Sequence, residues 1–260
     1  MIMVTARVKV YINYKGENMD TSSWLWIGTI GMGLGSLLLA LLATTLRKED
    51  RHHATVALGI TVIAATSYYA LVHNFGDLMV AGNTVQSARY VDWVLTTPLL
   101  LLSLCLVALP SKVKNRVWTI ASLVFLDVYM IVTGYFATLA DANTKWMWYV
   151  LSSVALIIIA YMLYVSIMKT VKSIGGAKLS KLYTTLAVYL SVLWLAYPVI
   201  WLLGTSGQGK VSFQTENAVY AVLDLLAKVG FGLLLVWNIK KLSDSANAKT
   251  DETTVDALAK

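Results

Sequence analysis

Charge is scarce in this chain. Only 13% of its 260 residues are Asp, Glu, Lys or Arg, while 58% are hydrophobic. Water-soluble domains carry about 25% charged residues, so a chain with half that share is not built for water. A single cysteine, Cys105, rules out a disulfide framework within one chain. Only three prolines interrupt the sequence, which leaves room for long regular elements. A net charge of +7 would suit nucleic acid. The basic residues are scattered between apolar runs, however, and form no stripe with interleaved aromatics, which argues against such a partner. The length suits one domain.

What the chain has instead is long apolar runs. A bilayer core about 30 Å thick needs about 20 helical residues, and runs of that length recur near 22–46, 54–73, 87–109, 116–140, 145–168, 181–203 and 216–238. Charge clusters such as "RKEDRHH" and "PSKVKNR" separate them. The fold class expected is an all-α membrane protein, a seven-transmembrane-helix bundle. Fourteen Lys and Arg residues fall in loops one, three and five and the tail, against five on the other side. The positive-inside rule then places the N-terminus outside and the C-terminus in the cytoplasm.

This gives an extracellular N-terminal segment at 1–21, a transmembrane domain at 22–238 and a mobile cytoplasmic tail at 239–260. Within 1–20, "VTARVKVYI" alternates like a short strand, without a signal peptide's apolar core; Met19 is an alternative start. Between the second and third runs, "DLMVAGNTVQ" predicts a hairpin turning at Gly82 and Asn83.

Ionisable residues inside the runs are the chemical signal, since a charge at bilayer depth costs about 2.5–3.5 kcal/mol even on the lenient scale. Arg89, Asp92, Thr96 and Ser103 in the third run fall within about 60° of one helix face. In the seventh run Asp224 and Lys228 are i, i+4 neighbours. Plainer readings exist: Lys228 snorkels to an interface, or the pair is a structural salt bridge. Lys228 sits too deep for the first, and two aspartates with an arginine and a lysine point to a reaction centre. A buried amine is a natural partner for a carbonyl, giving a Schiff base. Its protonated form needs counterions, which Asp92 and Asp224 supply, while Arg89 brings the cluster to neutrality.

Trp194, Tyr197 and Trp201 share one face of the sixth run. Trp93, Trp148 and Tyr149 add further rings, although Trp148 alone is equally well read as a lipid-facing belt residue. A flat apolar slot lined this way would take a long conjugated aldehyde.

The motifs "RYVDWVLTTPL", "LWLAYPVIW" and "LDLLAKVGFG" together make the chain resemble the microbial (type I) rhodopsins across nearly all of 22–238. The resemblance implies a light-driven ion transporter rather than an enzyme, with all-trans retinal bound covalently to Lys228. It implies that Asp92 is the primary counterion and proton acceptor, hydrogen-bonded by Thr96. Asp224 is the second counterion, partnered by Tyr68 and Tyr197, and Arg89 is the outward gate. Trp93, Thr97, Leu100 and Met130 match pocket positions, as do Thr133, Gly134 and Ser152. So do Trp194, Tyr197, Pro198, Trp201 and Tyr68. Asp127 matches a structural aspartate near the ring end, and Leu100 implies green absorption. Tyr149 fills the place where some relatives open to a carotenoid antenna.

Within the family, Asp92, Thr96 and Ser103 favour outward proton pumping over chloride or sodium transport, and Asp224 favours it over inward proton transport. A sensory photoreceptor signalling through a transducer protein is the alternative, and a retinal-free receptor or transporter a third reading. Ser103 stands where the archaeal pump has a carboxylic proton donor, and a serine hydroxyl cannot serve as that acid. Glu216 matches one glutamate of a paired release group, but Ser206 replaces its partner; Glu216 is then either a release group or a solvated surface acid. Alignment through Tyr68 places a tuning histidine's position at Ser67, which leaves His73 as an interface residue. The resemblance further implies the plasma membrane of a prokaryote, retinal and lipid as partners, and a homo-oligomer, trimer or pentamer.

Overall fold

The computed structural model describes residues 19–174 and 176–258. The strand expected near the N-terminus lies outside the described residues. Seven helices are long and apolar enough to cross a membrane: α1 (Thr21–Thr44), α2 (Arg51–Val72), α3 (Ser87–Ala108), α4 (Arg116–Leu139), α5 (Lys145–Ile174), α6 (Gly176–Leu203) and α7 (Phe213–Asp244). The shortest have 22 residues, about 33 Å at 1.5 Å per residue. The chain is therefore a seven-helix, multi-pass membrane protein.

Several helices outrun the apolar runs that announced them. α5 continues to Ile174, α6 begins at Gly176, and α7 extends from Phe213 past Asp244 to Leu258. Hydropathy marks where lipid ends, not where backbone hydrogen bonding ends. The stretch 239–258, expected as a mobile tail, is helical; it lacks Gly and Pro.

α3 is the axis of the bundle. Some 61% of its apolar stretch is buried, against 22% for α4 and α5, so its polar side chains meet protein rather than lipid. α1 approaches the bundle through Gly28, Gly31 and Gly35, which share one face. A Cβ on these would lie 2.2 Å from the Tyr68 ring, 2.6 Å from Leu225 and 2.5 Å from Val229 respectively. Small residues let helix backbones come close where no hydrophobic force drives them together.

A hairpin closes one end of the bundle between α2 and α3. β1 (Asp77–Val80) and β2 (Asn83–Gln86) pair antiparallel, with Val80 opposite Asn83. The two-residue turn is Ala81–Gly82, not Gly82–Asn83, and both turn residues have positive φ, +49° and +85°. That is the turn whose twist matches paired strands. Asn83 is drawn into the strand and donates to the Thr205 carbonyl at 3.3 Å.

Two single π-helical turns interrupt the long helices, Met162–Ile167 in α5 and Leu226–Gly230 in α7. The second contains Lys228. Such wide turns inside α-helices often mark functional sites.

Candidate functional site

α3 and α7 bring their ionisable residues together in the middle of the bundle. Lys228 Nζ donates to Asp92 Oδ2 and lies 3.2 Å from Asp224 Oδ1. Arg89 Nη1 stands 3.8 Å from Asp224 Oδ2. All four residues are at most 3% exposed. Two cations and two carboxylates make the cluster neutral, the condition under which buried charge persists.

The two carboxylates are held differently. Asp224 accepts from the Tyr68 and Tyr197 hydroxyls, both at 2.8 Å, and from Trp93 Nε1 at 3.2 Å. Asp92 receives only the Thr96 hydroxyl, at 3.4 Å, besides the lysine; Thr96 sits closer to the Asp92 backbone carbonyl, at 2.8 Å. Asp224 is tied on three sides while Asp92 faces Lys228 almost alone.

Arg89 spans from this cluster toward the hairpin. Its Nη1 donates to the Tyr68 hydroxyl at 3.3 Å, and its Nη2 donates to Gln86 Oε1 at 2.9 Å and Asn217 Oδ1 at 2.6 Å. The Tyr220 ring lies 5.0 Å from the guanidinium carbon, within cation–π range. Sequence reading passed over Gln86, Asn217 and Tyr220. The last two lie seven and four residues before Asp224, on its helix face, so the spacing that singled out Lys228 would also have found them.

Beyond Arg89 a small cavity lies between the hairpin and the start of α7, with Thr84, Thr205, Ser206 and Glu216 on its wall. Glu216 is buried, not a solvated surface acid. Its Oε2 accepts from the Thr205 backbone N–H at 3.0 Å and hydroxyl at 2.9 Å. Gly204 makes this possible, since a Cβ there would sit 2.6 Å from the Glu216 carboxyl carbon. Ser206 lines the cavity, while Thr205 is the residue bonded to the glutamate.

A larger apolar slot opens beside the cluster. Trp93 and Tyr197, both hydrogen-bonded to Asp224, stand at its near end, and Thr97, Met130, Trp194 and Pro198 continue its walls. Gly134, Ser152, Trp201 and Tyr149 are the other expected residues on it, and Tyr90, outside the expected set, also lines the slot. Tyr149 stacks on Trp201 at 4.9 Å. At Gly134 a Cβ would come within 3.3 Å of Ser152 Oγ, so the glycine keeps this end wide.

Three expected pocket residues lie off the wall. Tyr68 is turned to Asp224. Thr133 spends its hydroxyl on the carbonyls of Tyr129 and Met130. Leu100 belongs to the fully buried core. Trp148 packs against Phe136 instead of the slot. Asp127 Oδ2 accepts from Thr97 at 2.7 Å, which braces the slot wall.

Ser103 is buried and donates to the Leu99 carbonyl of its own helix at 2.9 Å. It lies about 16 Å along α3 from Asp92, away from the hairpin. His73 caps the hairpin end of α2, exposed, with its ring 4.5 Å from Tyr69.

A family model described as bacteriorhodopsin-like protein matches residues 19–242. Bacteriorhodopsin of Haloterrigena sp. (strain arg-4) is 40% identical over 222 residues, 83% of this chain and 86% of that protein. Archaerhodopsin-3 of Halorubrum sodomense is 34% identical over 236 residues, covering 88% and 89%. Among solved structures, the thermophilic rhodopsin from Rubrobacter xylanophilus superposes with a TM-score of 0.82 at 42% identity, covering 86% of this chain and 98% of that one. The light-driven proton pump rhodopsin of Coccomyxa subellipsoidea gives 0.78 at 32%, covering 84% and 96%. A seven-helix bundle with a lysine and two aspartates at its centre, matched along its length by these relatives, places the chain in the microbial (type I) rhodopsin family.

Proposed function

We propose that this protein is a light-driven outward proton pump that carries retinal on Lys228. The observation that carries the reading is the unequal pair of carboxylates at Lys228 Nζ: Asp92 bonded to it directly, Asp224 tied to Tyr68, Tyr197 and Trp93. The chain's residues fit the chromophore, because a buried primary amine stands between two carboxylates beside an aromatic-walled slot. Retinal, joined through its aldehyde carbon to Lys228 Nζ, supplies light absorption and the change of shape that follows.

The protein's own residues do the rest. In the dark Lys228 Nζ holds the transported proton against Asp92 Oδ2. Three donors stabilise the charge of Asp224 and leave it little reason to take a proton. Asp92, with only Thr96 to support its charge, is the acceptor. Arg89 keeps the site neutral before transfer, and the side chains of Gln86, Asn217 and Glu216 lead from it to the hairpin end. Loop charges assign that end to the outside. The similar proteins, one of them a light-driven proton pump, support the same reading. By the same resemblance the retinal-binding domain is 22–238, and the protein works in a prokaryotic plasma membrane as a trimer or pentamer.

Two experiments test this. Lys228→Ala removes the visible absorption band, and a normally coloured pigment in that variant contradicts the linkage. Illuminated cells in weakly buffered medium acidify it, and an uncoupler abolishes the signal. A flat trace with an intact pigment favours the sensory photoreceptor instead.

A further inference from the structure

The proposed cycle needs a proton delivered to Lys228 Nζ from the end opposite the hairpin, and Ser103 cannot hold one to give. Past the level of Thr97 and Asp127 in that half of the bundle, the buried polar side chains among the described residues are His53, Thr61, Ser103 and Ser243. A serine or threonine hydroxyl does not ionise near neutrality, whereas an imidazole gains and loses a proton reversibly. Cys105 lies in an apolar cluster, and Tyr183 donates its hydroxyl to the Leu163 carbonyl.

His53 sits in the first turn of α2, 6% exposed, and its Nδ1 is buried without a hydrogen-bond partner. An unpaired buried polar atom calls for water or a proton. Arg116 Nε at the start of α4 and Ser243 Oγ near the end of α7 are buried and unpaired in the same way, so three such atoms gather at this end. His52, the neighbouring residue, is exposed, and its ring lies 4.0 Å from that of His53. Its Nδ1 is fixed 2.6 Å from the Glu49 carbonyl. One imidazole faces water and the other faces the interior, in ring contact.

His53 also points along the productive face. With Ala57, Ile60, Ala64 and Tyr68 it lies within about 80° of one side of α2, and all five are buried. It stands about 22 Å along the axis from Tyr68, some 6 Å beyond the depth of Ser103. One turn inward from His53, Ala57 meets α7 at Gly232, where a Cβ would lie 3.2 Å from the Ala57 methyl. Gly232 is one turn from Lys228, so two small residues face each other at this step, with the Leu39 side chain beside them at the same 3.2 Å. Ile60, Leu100 and Phe231 close it in the dark. The charged groups nearest His53 are His52 and Asp50. On the helices packed against this end of α2, the charges are Lys240, Lys241 and Asp244 of α7; Asp50 pairs with Arg47 at 3.4 Å.

We propose that His52 and His53 form the proton-entry site of this protein, in place of the carboxylic acid missing at Ser103. After Lys228 Nζ has lost its proton to Asp92, neutral His53 takes a proton from solvent by way of His52. An N–H bond of the imidazolium so formed then breaks and an N–H bond forms at Lys228 Nζ, through water admitted between Ala57 and Gly232, which leaves His53 neutral again. The proposal rests on the pump reading above.

The test is flash-induced absorption recovery of the whole pigment, with infrared difference spectra recorded on protein carrying ring-labelled histidine. In His53→Phe the dark band keeps its position while the last phase of recovery slows by at least about tenfold at neutral pH. Its pH dependence flattens, since no imidazole is left to pass the proton on. Adding Ser103→Asp to that variant restores fast recovery. The wild type shows an imidazolium band gained and lost in the same phase. Unchanged recovery in His53→Phe, or a wild-type spectrum without that histidine band, overturns the proposal. If the phenylalanine variant fails to form pigment, His53→Gln and the wild-type infrared signal decide. Absence of light-driven acidification by the wild type would instead overturn the pump reading.

Discussion

Asn217 Oδ1 accepts from Arg89 Nη2 at 2.6 Å, on the side of the guanidinium facing away from Asp224. Asn217 cannot turn its amide freely, because its Nδ2 donates to the Phe213 carbonyl at 2.9 Å. Arg89 is thus held from both ends, by a carboxylate and a tyrosine inward and by two neutral amide oxygens outward.

Asn217→Leu leaves Arg89 Nη2 with Gln86 alone and is expected to cost about 1–3 kcal/mol of stability. Gln86→Leu by itself costs less, since that bond is longer. The double variant loses more than the sum, because Nη2 then has no acceptor. Thermal bleaching of the three variants checks this; simple additivity would show that the two amides do not share the guanidinium.

Gly28 gives a second test. Its backbone lies against the Tyr68 ring, and that hydroxyl supports Asp224. Gly28→Ala should displace the ring, cost about 1–3 kcal/mol and shift the absorption band in the same direction as Tyr68→Phe. Gly33→Ala, where nothing lies within 4 Å of the added carbon, should change neither melting nor colour.

Asp77 in the hairpin makes stability depend on pH. Burial raises its carboxyl from 3.8 to about 6, against the opposing pull of Arg89. A raised carboxyl favours the folded state fully below about pH 4, and that contribution is lost as pH rises through about 6. Asp77→Asn should therefore melt above the wild type at pH 7–8, and the advantage should vanish below pH 4. Melting curves at the two pH values decide; an advantage independent of pH would point to another cause.

The sequence carried the bundle and the central cluster because both follow simple periods. Apolar runs of membrane length announce helices, and the spacings of Arg89, Asp92, Asp224 and Lys228 put them on helix faces that can only point inward. The hairpin was legible too, but not its turn: Gly82–Asn83 looked the better pair, and only strand register shows Ala81 in the left-handed region. Glu216 was ambiguous because its burial depends on Gly204 across the loop, a contact no local pattern encodes. His53 was invisible for a related reason. It lies inside the charge cluster "RKEDRHH", which reads as solvated loop, while the helix begins earlier, at Arg51, and turns this one ring inward.

In the proposed cycle, light moves a proton from Lys228 Nζ to Asp92 and from there outward. The most direct measurement is the light-induced pH change of cells expressing the wild type or Asp92→Asn, each with its dark spectrum recorded. The wild type should acidify the medium, and Asp92→Asn, still coloured, should give no change. Acidification by a coloured Asp92→Asn variant at the wild-type rate would contradict the claim.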